Sequence, residues 1–236
     1  MRVIVFDTET IDIKDLDIFD FGFTVIDTET KQEIAKGSYL ISEIYNTPLF
    51  ERAYYYNKNK EVYEKKVKEG IIELVTLAEA RALFNKAIID NKVDVIGGFI
   101  IDFDIRALNF NFSKYCGETN PITKEKLAKS RQVVDISLLF SLLEKKYGDY
   151  IEWCQQYGHV TDKGNIKSTA EVIYKYITNN HEHEEEHTAY SDTVEEAAVL
   201  QYCIDSYKDK EDFDLIWKEA VELTIKGGKK AWQILK

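Results

Sequence analysis

The chain has 236 residues, 44% of them hydrophobic, with a formal net charge of −11. That length supports one substantial core, or one domain with a small extension. It holds no run of the roughly eighteen apolar residues a spanning helix needs, so no membrane segment is expected.

The acidic total argues at first against a nucleic-acid partner, because phosphates normally need a basic surface. Lysines nevertheless cluster at Lys58, Lys60, Lys65, Lys66 and Lys68, from Lys124 to Arg131, and at Lys226, Lys229 and Lys230. Carboxylates that hold cations also reverse their local sign, so net charge does not decide the matter. Cys116, Cys154 and Cys203 lie far apart without a CxxC, as expected of reduced thiols in a cytoplasmic compartment. The opening residues, Arg2 and then a strand, lack the layout of a signal peptide.

Residues 2–7 read as a strand, and 19–27 and 32–42 as two more, joined by the turn Thr28–Lys31 in an antiparallel meander. Residues 47–68, rich in tyrosine and lysine, are expected to be helical in part. The tyrosines Tyr54–Tyr56 could form a stacking groove for single strands, and a buried helix face fits them equally. Thr76-Leu77-Ala78-Glu79 is a capping box for a helix reaching about Asn91. The β-branched run 92–99 reads as a strand buried on both faces, followed by a helix from about Phe103, whose ring is expected in the core. A short strand at 133–136 precedes a helix over 138–146, with Asp135 in a supporting position. Ser168-Thr169-Ala170-Glu171 reads as a second capping box, and 189–207 as a long amphipathic helix. His181 and His183, set among glutamates, read as a solvated loop rather than a zinc site. Strands first and strand–helix alternation later predict an α/β fold: a mixed sheet of antiparallel meander and parallel strands, flanked by helices. The domain is expected over 1–208, with 209–236 a helical extension whose lysines, beside Trp217 and Trp232, strengthen substrate binding.

Three segments carry chemistry. Asp7 and Glu9, two apart on a strand, project to one face, where paired carboxylates repel each other unless a proton or hard cation intervenes. An ordinary strand end running into an acidic loop, with Asp12, Asp15, Asp17 and Asp20 following, would look the same. Gly97 to Leu108 places acids at a helix entrance after a buried strand, where α/β sheets gather their ligands, although Asp102 would also serve as a simple N-cap. His187-Thr188-Ala189-Tyr190-Ser191-Asp192 sets a histidine in a loop five residues before an aspartate, and on the helix Asp192 would share a face with Glu196.

Together these segments resemble the DEDDh family of 3′→5′ exonucleases on the ribonuclease H-like fold, which includes the proofreading epsilon subunit of DNA polymerase III, ribonuclease T and phage-type enzymes. Phe6-Asp7-Thr8-Glu9-Thr10 is similar to the family's DxE motif, Phe103-Asp104 with Leu108 to its FD motif, and His187-Thr188-Ala189-Tyr190-Ser191-Asp192 to its HxAxxD motif. Phe99 and Ile100 stand where the family usually carries His-Asn, which puts substrate contacts in question rather than metal binding. The resemblance implies a metal-dependent exonuclease acting on single-stranded 3′ ends. Asp7, Glu9, Asp104 and Asp192 would hold two Mg²⁺ or Mn²⁺ ions, Asp7 bridging them, and His187 would act as general base. Thr8 and Thr10 would touch substrate. DNA is the expected substrate. An RNA substrate on the same site, or a catalytically silent accessory module of a DNA polymerase, are the alternatives.

Overall fold

The computed structural model describes residues 1–14, 16–45, 47–119, 121–227 and 230–235; Asp15 and Lys229, named above, lie outside the described residues. β1 (Arg2–Thr10), β2 (Ile18–Asp27) and β3 (Gln32–Ile41) form the antiparallel meander. A 3-10 turn at Phe50–Arg52 leads into α1 (Tyr54–Lys58) and α2 (Lys60–Lys68), then β4 (Glu73–Val75) and α3 (Leu77–Asp90). β5 (Val95–Gly98) precedes α4 (Asp102–Cys116), and the single turn α5 (Lys124–Leu127) precedes β6 (Gln132–Asp135). The remainder is helical: α6 (Ile136–Tyr147), α7 (Tyr150–Gln156), α8 (Ala170–Thr178), α9 (Ala189–Tyr207), α10 (Phe213–Lys226) and α11 (Ala231–Ile234).

The six strands lie in the order β4-β3-β2-β1-β5-β6, with β5 parallel to β1 and to β6, and β4 parallel to β3. The expected mixed sheet flanked by helices is the observed one. Alternation along the central strand sorts its two faces. Val3 and Val5 pack in a core with α6, α9 and α10, while Ile4 and Phe6 pack in another with α3 and α4. A third cluster, containing Phe19, Phe50 and Tyr63, seats α1 and α2 beyond the meander.

The same alternation places the chemistry. Asp7 and Glu9 continue the series of Val3 and Val5 toward α9, whereas Thr8 continues that of Ile4 and Phe6 toward α4. Asp7 pairs with Gly22 across β1 and β2, and α9 lies on both strands. A Cβ on Gly22 would sit 2.2 Å from the backbone nitrogen of Tyr190 and 2.4 Å from the carbonyl carbon of Ala189. Only glycine lets the first turn of α9, which carries Asp192, come this close to Asp7.

Several expectations are corrected. β1 runs through Thr10, three residues beyond the expected end at Asp7, so Glu9 lies within the strand as Asp7 does. The cap of α8 is Thr169, whose side chain accepts from the Val172 amide, so the start shifts by one from Ser168. The helical extension 209–236 is two helices rather than one, because Gly227 adopts φ 65° and closes α10 before α11. His181 stacks on Trp153 and lies against Tyr157, and His183 bonds Glu195 at 2.9 Å, so this stretch is packed rather than solvated. Phe103 lies partly exposed at a groove instead of in the core. Among the described residues, no helix is long and apolar enough to cross a membrane.

Candidate active site

Glu9, His187 and Asp192 each place a ligand atom within 4.8 Å of the other two, the only such group among the described residues. Glu9 arrives on β1, Asp192 on the first turn of α9, and His187 on the loop before it. Asp7 and Asp104 stand outside that tight group but within its field. Burial raises the Asp7 carboxyl well above the usual range, and the charges of Asp104, Asp192 and Asp20 push it further. Glu9 is raised by burial and then by Asp7 and Asp192. Asp192 is raised by burial, and next by Glu185 and Glu195.

Asp104 is only 1% exposed. Its Oδ1 accepts from the Thr8 amide at 3.0 Å and the Thr8 hydroxyl at 2.7 Å. Burial outweighs these bonds and pushes the carboxyl up to about 7. The Thr8 hydroxyl is thus committed to Asp104, and that of Thr10 donates to the Asp12 carbonyl at 3.2 Å.

His187 is held by the tyrosine- and lysine-rich helices. The Tyr55 ring lies against its imidazole, centroids 4.4 Å apart. Lys66 bonds Glu186 at 2.5 Å and Thr188 at 3.3 Å, and Asn59 donates to the Glu186 carbonyl at 2.9 Å. These anchors fix His187 at φ 53°, a left-handed conformation uncommon outside glycine. Burial, followed by the nearby Lys58 charge, lowers the pKa of the imidazole, which favours its neutral form. Of the three adjacent tyrosines, Tyr56 is core, Tyr55 braces His187, and Tyr54 is exposed.

Two carboxylates were not singled out as site residues from the sequence. Glu196, 3% exposed, accepts from the Phe99 amide at 3.1 Å and is raised well above its usual range by burial and then by Asp7, Asp104 and Asp192. Its i+4 spacing from Asp192 was the signal. Asp20 pairs with Glu9 across β1 and β2. Its Oδ2 accepts from the Ala189 amide at 2.9 Å and from the Tyr63 hydroxyl at 2.8 Å, tying α9 to the sheet. Burial raises it to about 6. Its Oδ1 is buried with no hydrogen-bond partner. A lone acid amid the apolar residues of β2 was the available signal.

The site therefore gathers carboxylates at the C-terminal end of β1, one oxygen buried and unpartnered, with one imidazole and no thiol. That donor set suits a hard divalent cation such as Mg²⁺ or Mn²⁺ better than zinc.

No protein-family model matches the sequence, and no curated protein matches it. The structure is similar to the crystal structure of cell-death related nuclease 4, with a TM-score of 0.50 and 12% sequence identity over 87% of this chain. The fold is ribonuclease H-like. This chain spans 64% of the length of that neighbour, so the similarity is one of architecture. In this architecture the acids of β1, the start of α4 and the start of α9 gather at the carboxyl end of the central strand, the end at which open α/β sheets place ligands.

Proposed function

We propose that this chain is a metal-dependent nuclease that removes nucleotides from the 3′ ends of single-stranded nucleic acid, DNA in preference to RNA. The observation that carries the reading is the meeting of Glu9, Asp192 and His187 within 4.8 Å, ringed by Asp7, Asp104 and Glu196. The nuclease named as a structural neighbour agrees with it. The 3′→5′ polarity rests on the three-motif resemblance.

Asp7, Glu9, Asp104 and Asp192 would hold the ions, two by that resemblance. Bound there, divalent ions would supply an activated water and charge compensation for the phosphate. Without cations the cluster would repel an anionic backbone, so the chain's own acids cannot bind substrate alone. Thr8 fixes the Asp104 carboxylate, and Asp20 fixes the first turn of α9 on which Asp192 stands. His187, whose neutral form burial favours and which stands within 4.8 Å of Glu9 and Asp192, would take the proton from the attacking water.

The test is product release from 5′-labelled single-stranded DNA and RNA in Mg²⁺, Mn²⁺ or EDTA. The expected result is a ladder shortening from the 3′ end in either metal and no reaction in EDTA. His187→Ala should lower the rate by roughly two to four orders of magnitude, the span usual for a general base. Full activity in EDTA, or binding without hydrolysis in every metal, would overturn the proposal.

A further inference from the structure

Beside the acid cluster, α10 and α11 form one wall of a groove of about 690 Å³. The opposite wall is the loop from β5 into α4 and the start of α6. Asp102 and Phe103, the two residues before Asp104 on α4, line it together with Asp135, so the groove lies beside the start of α4 that carries Asp104. Its size lies within the ~300–1,000 Å³ usual for ligand sites.

The chemistry of the lining is specific. Arg106 and Lys230 make no ion pair among the described residues, while the two acids present are already compensated. Asp102 pairs with Lys124 at 2.6 Å, and Asp135 accepts from the Ser137 hydroxyl at 2.6 Å and the Ser137 amide at 3.0 Å. Arg106 donates through Nε to the Asp102 carbonyl at 3.3 Å and lies over the Phe103 ring at 5.8 Å, so both cations line the groove with their charge unpaired by a carboxylate among the described residues. Apolar surface stands beside them. Trp232 is 38% exposed, and Phe103 lines the same wall as Arg106. Ile100, 55% exposed, is held at φ 58° with its amide directed at Asp135 3.3 Å away. A β-branched residue in the left-handed region is a genuine outlier, and an exposed one at a site's rim points to a contact that justifies the strain.

We propose that this groove holds the nucleotides upstream of the scissile bond, with Trp232 stacking on an unpaired base and Lys230 and Arg106 binding backbone phosphates. The proposal rests on the nuclease reading and assigns the C-terminal helices to substrate binding rather than to chemistry. Alternating cations and exposed rings are the means by which proteins hold single strands without reading sequence. Duplex is disfavoured, because its bases already stack on one another. Lys226, by contrast, pairs with Glu222 at 3.1 Å and lies outside the groove lining.

The test compares KM for a dinucleotide with KM for longer oligothymidylate and oligouridylate strands, in Mn²⁺. The native chain should gain about tenfold in KM on going from the dinucleotide to the longer strand, the scale of one stacked base with its phosphate contact. Lys230→Ala/Trp232→Ala should lose most of that gain, and Trp232→Phe should keep most of it. Lys230→Glu alone, a surface change, should reduce the salt slope for the long strand by roughly 0.7. Retention of the full length advantage in the double variant together with an unchanged salt slope in Lys230→Glu would overturn the groove and leave the nuclease reading intact. So would an equal loss on short and long substrates, which marks a structural wall. Failure of the native chain to hydrolyse either length would overturn the nuclease reading itself. A length effect on deoxyribose strands alone assigns the groove to DNA, and one on both assigns it to the shared backbone.

Discussion

The ring of Tyr55 lies on the imidazole of His187, centroids 4.4 Å apart and planes 31° from parallel. Since His187 is also held in a left-handed backbone, the stack limits where its ring can turn. Aromatic pairing of this kind contributes about 0.5–1.5 kcal/mol. Tyr55→Ala should therefore lower kcat about three- to tenfold with little change in KM, and Tyr55→Phe should restore it. Steady-state kinetics on a labelled oligonucleotide decides. A phenylalanine variant as slow as the alanine one would show that the hydroxyl, not the ring, is what matters.

Gly22 is the second point of leverage. An added methyl would meet backbone atoms of Ala189 and Tyr190, which cannot swing aside as a side-chain tip can. Gly22→Ala should force α9 away from β2, destabilising the protein by about 1–3 kcal/mol as overpacking does, and lower turnover by at least about tenfold. Thermal unfolding alongside kinetics checks both. Native stability and turnover in this variant would mean that α9 docks more loosely than its contacts indicate.

Local order was legible where pattern and punctuation agreed. The helix from Ala189 to Tyr207 carries an amphipathic period and a Thr188 cap, and both ends match the structure. The capping box Thr76–Glu79 forms as expected. β4 and α7 went unread because three residues have no usable period and the start of α7 has no side-chain cap. The DxE pair and Asp192 could be named from spacing, but not the convergence around them. Asp20, Tyr63 and Ala189 meet only through tertiary packing, across 43 and 169 positions of chain. The histidines at 181 and 183 misled for the same reason. Their partners Trp153 and Tyr174 lie on α7 and α8, and nothing in a run of glutamates announces them.

Glu196 offers a charge without an evident fold requirement. Its Oε2 accepts one amide bond, which a glutamine oxygen can also accept. Glu196→Gln should raise the melting temperature of the metal-free protein at alkaline pH, where the native carboxyl must lose its proton while buried beside Asp7, Asp104 and Asp192. It should also weaken divalent-ion affinity by about ten- to a hundredfold, the range seen for groups that support metal ligands. Calorimetric titration with Mn²⁺ measures the second effect. Unaltered affinity would confine Glu196 to packing.

The acid cluster sets how stability depends on pH when metal is withheld. Asp7, Glu9, Asp192 and Glu196 are all raised, Asp104 to about 7 and Glu185 to about 7. Their unfolded values lie near 4. Between those limits the native state binds more protons than the unfolded chain, so stability must fall as pH rises. His159 and His187, whose values are lowered, act in the opposite sense below their ordinary value of about 6.5. The decline should therefore be clearest from about pH 6.5 to 8. In EDTA the melting temperature should drop across that window, and Asp192→Asn should flatten the drop. Saturating Mg²⁺ or Mn²⁺ should reverse the trend, because the ions bind the deprotonated carboxylates. At a hundred times its Kd, an ion stabilises the fold by about 2.7 kcal/mol. Scanning calorimetry at both pH values, with and without metal, tests the sign directly. A melting temperature that rises with pH in EDTA, or one indifferent to metal at pH 8, would remove the cation site from the cluster.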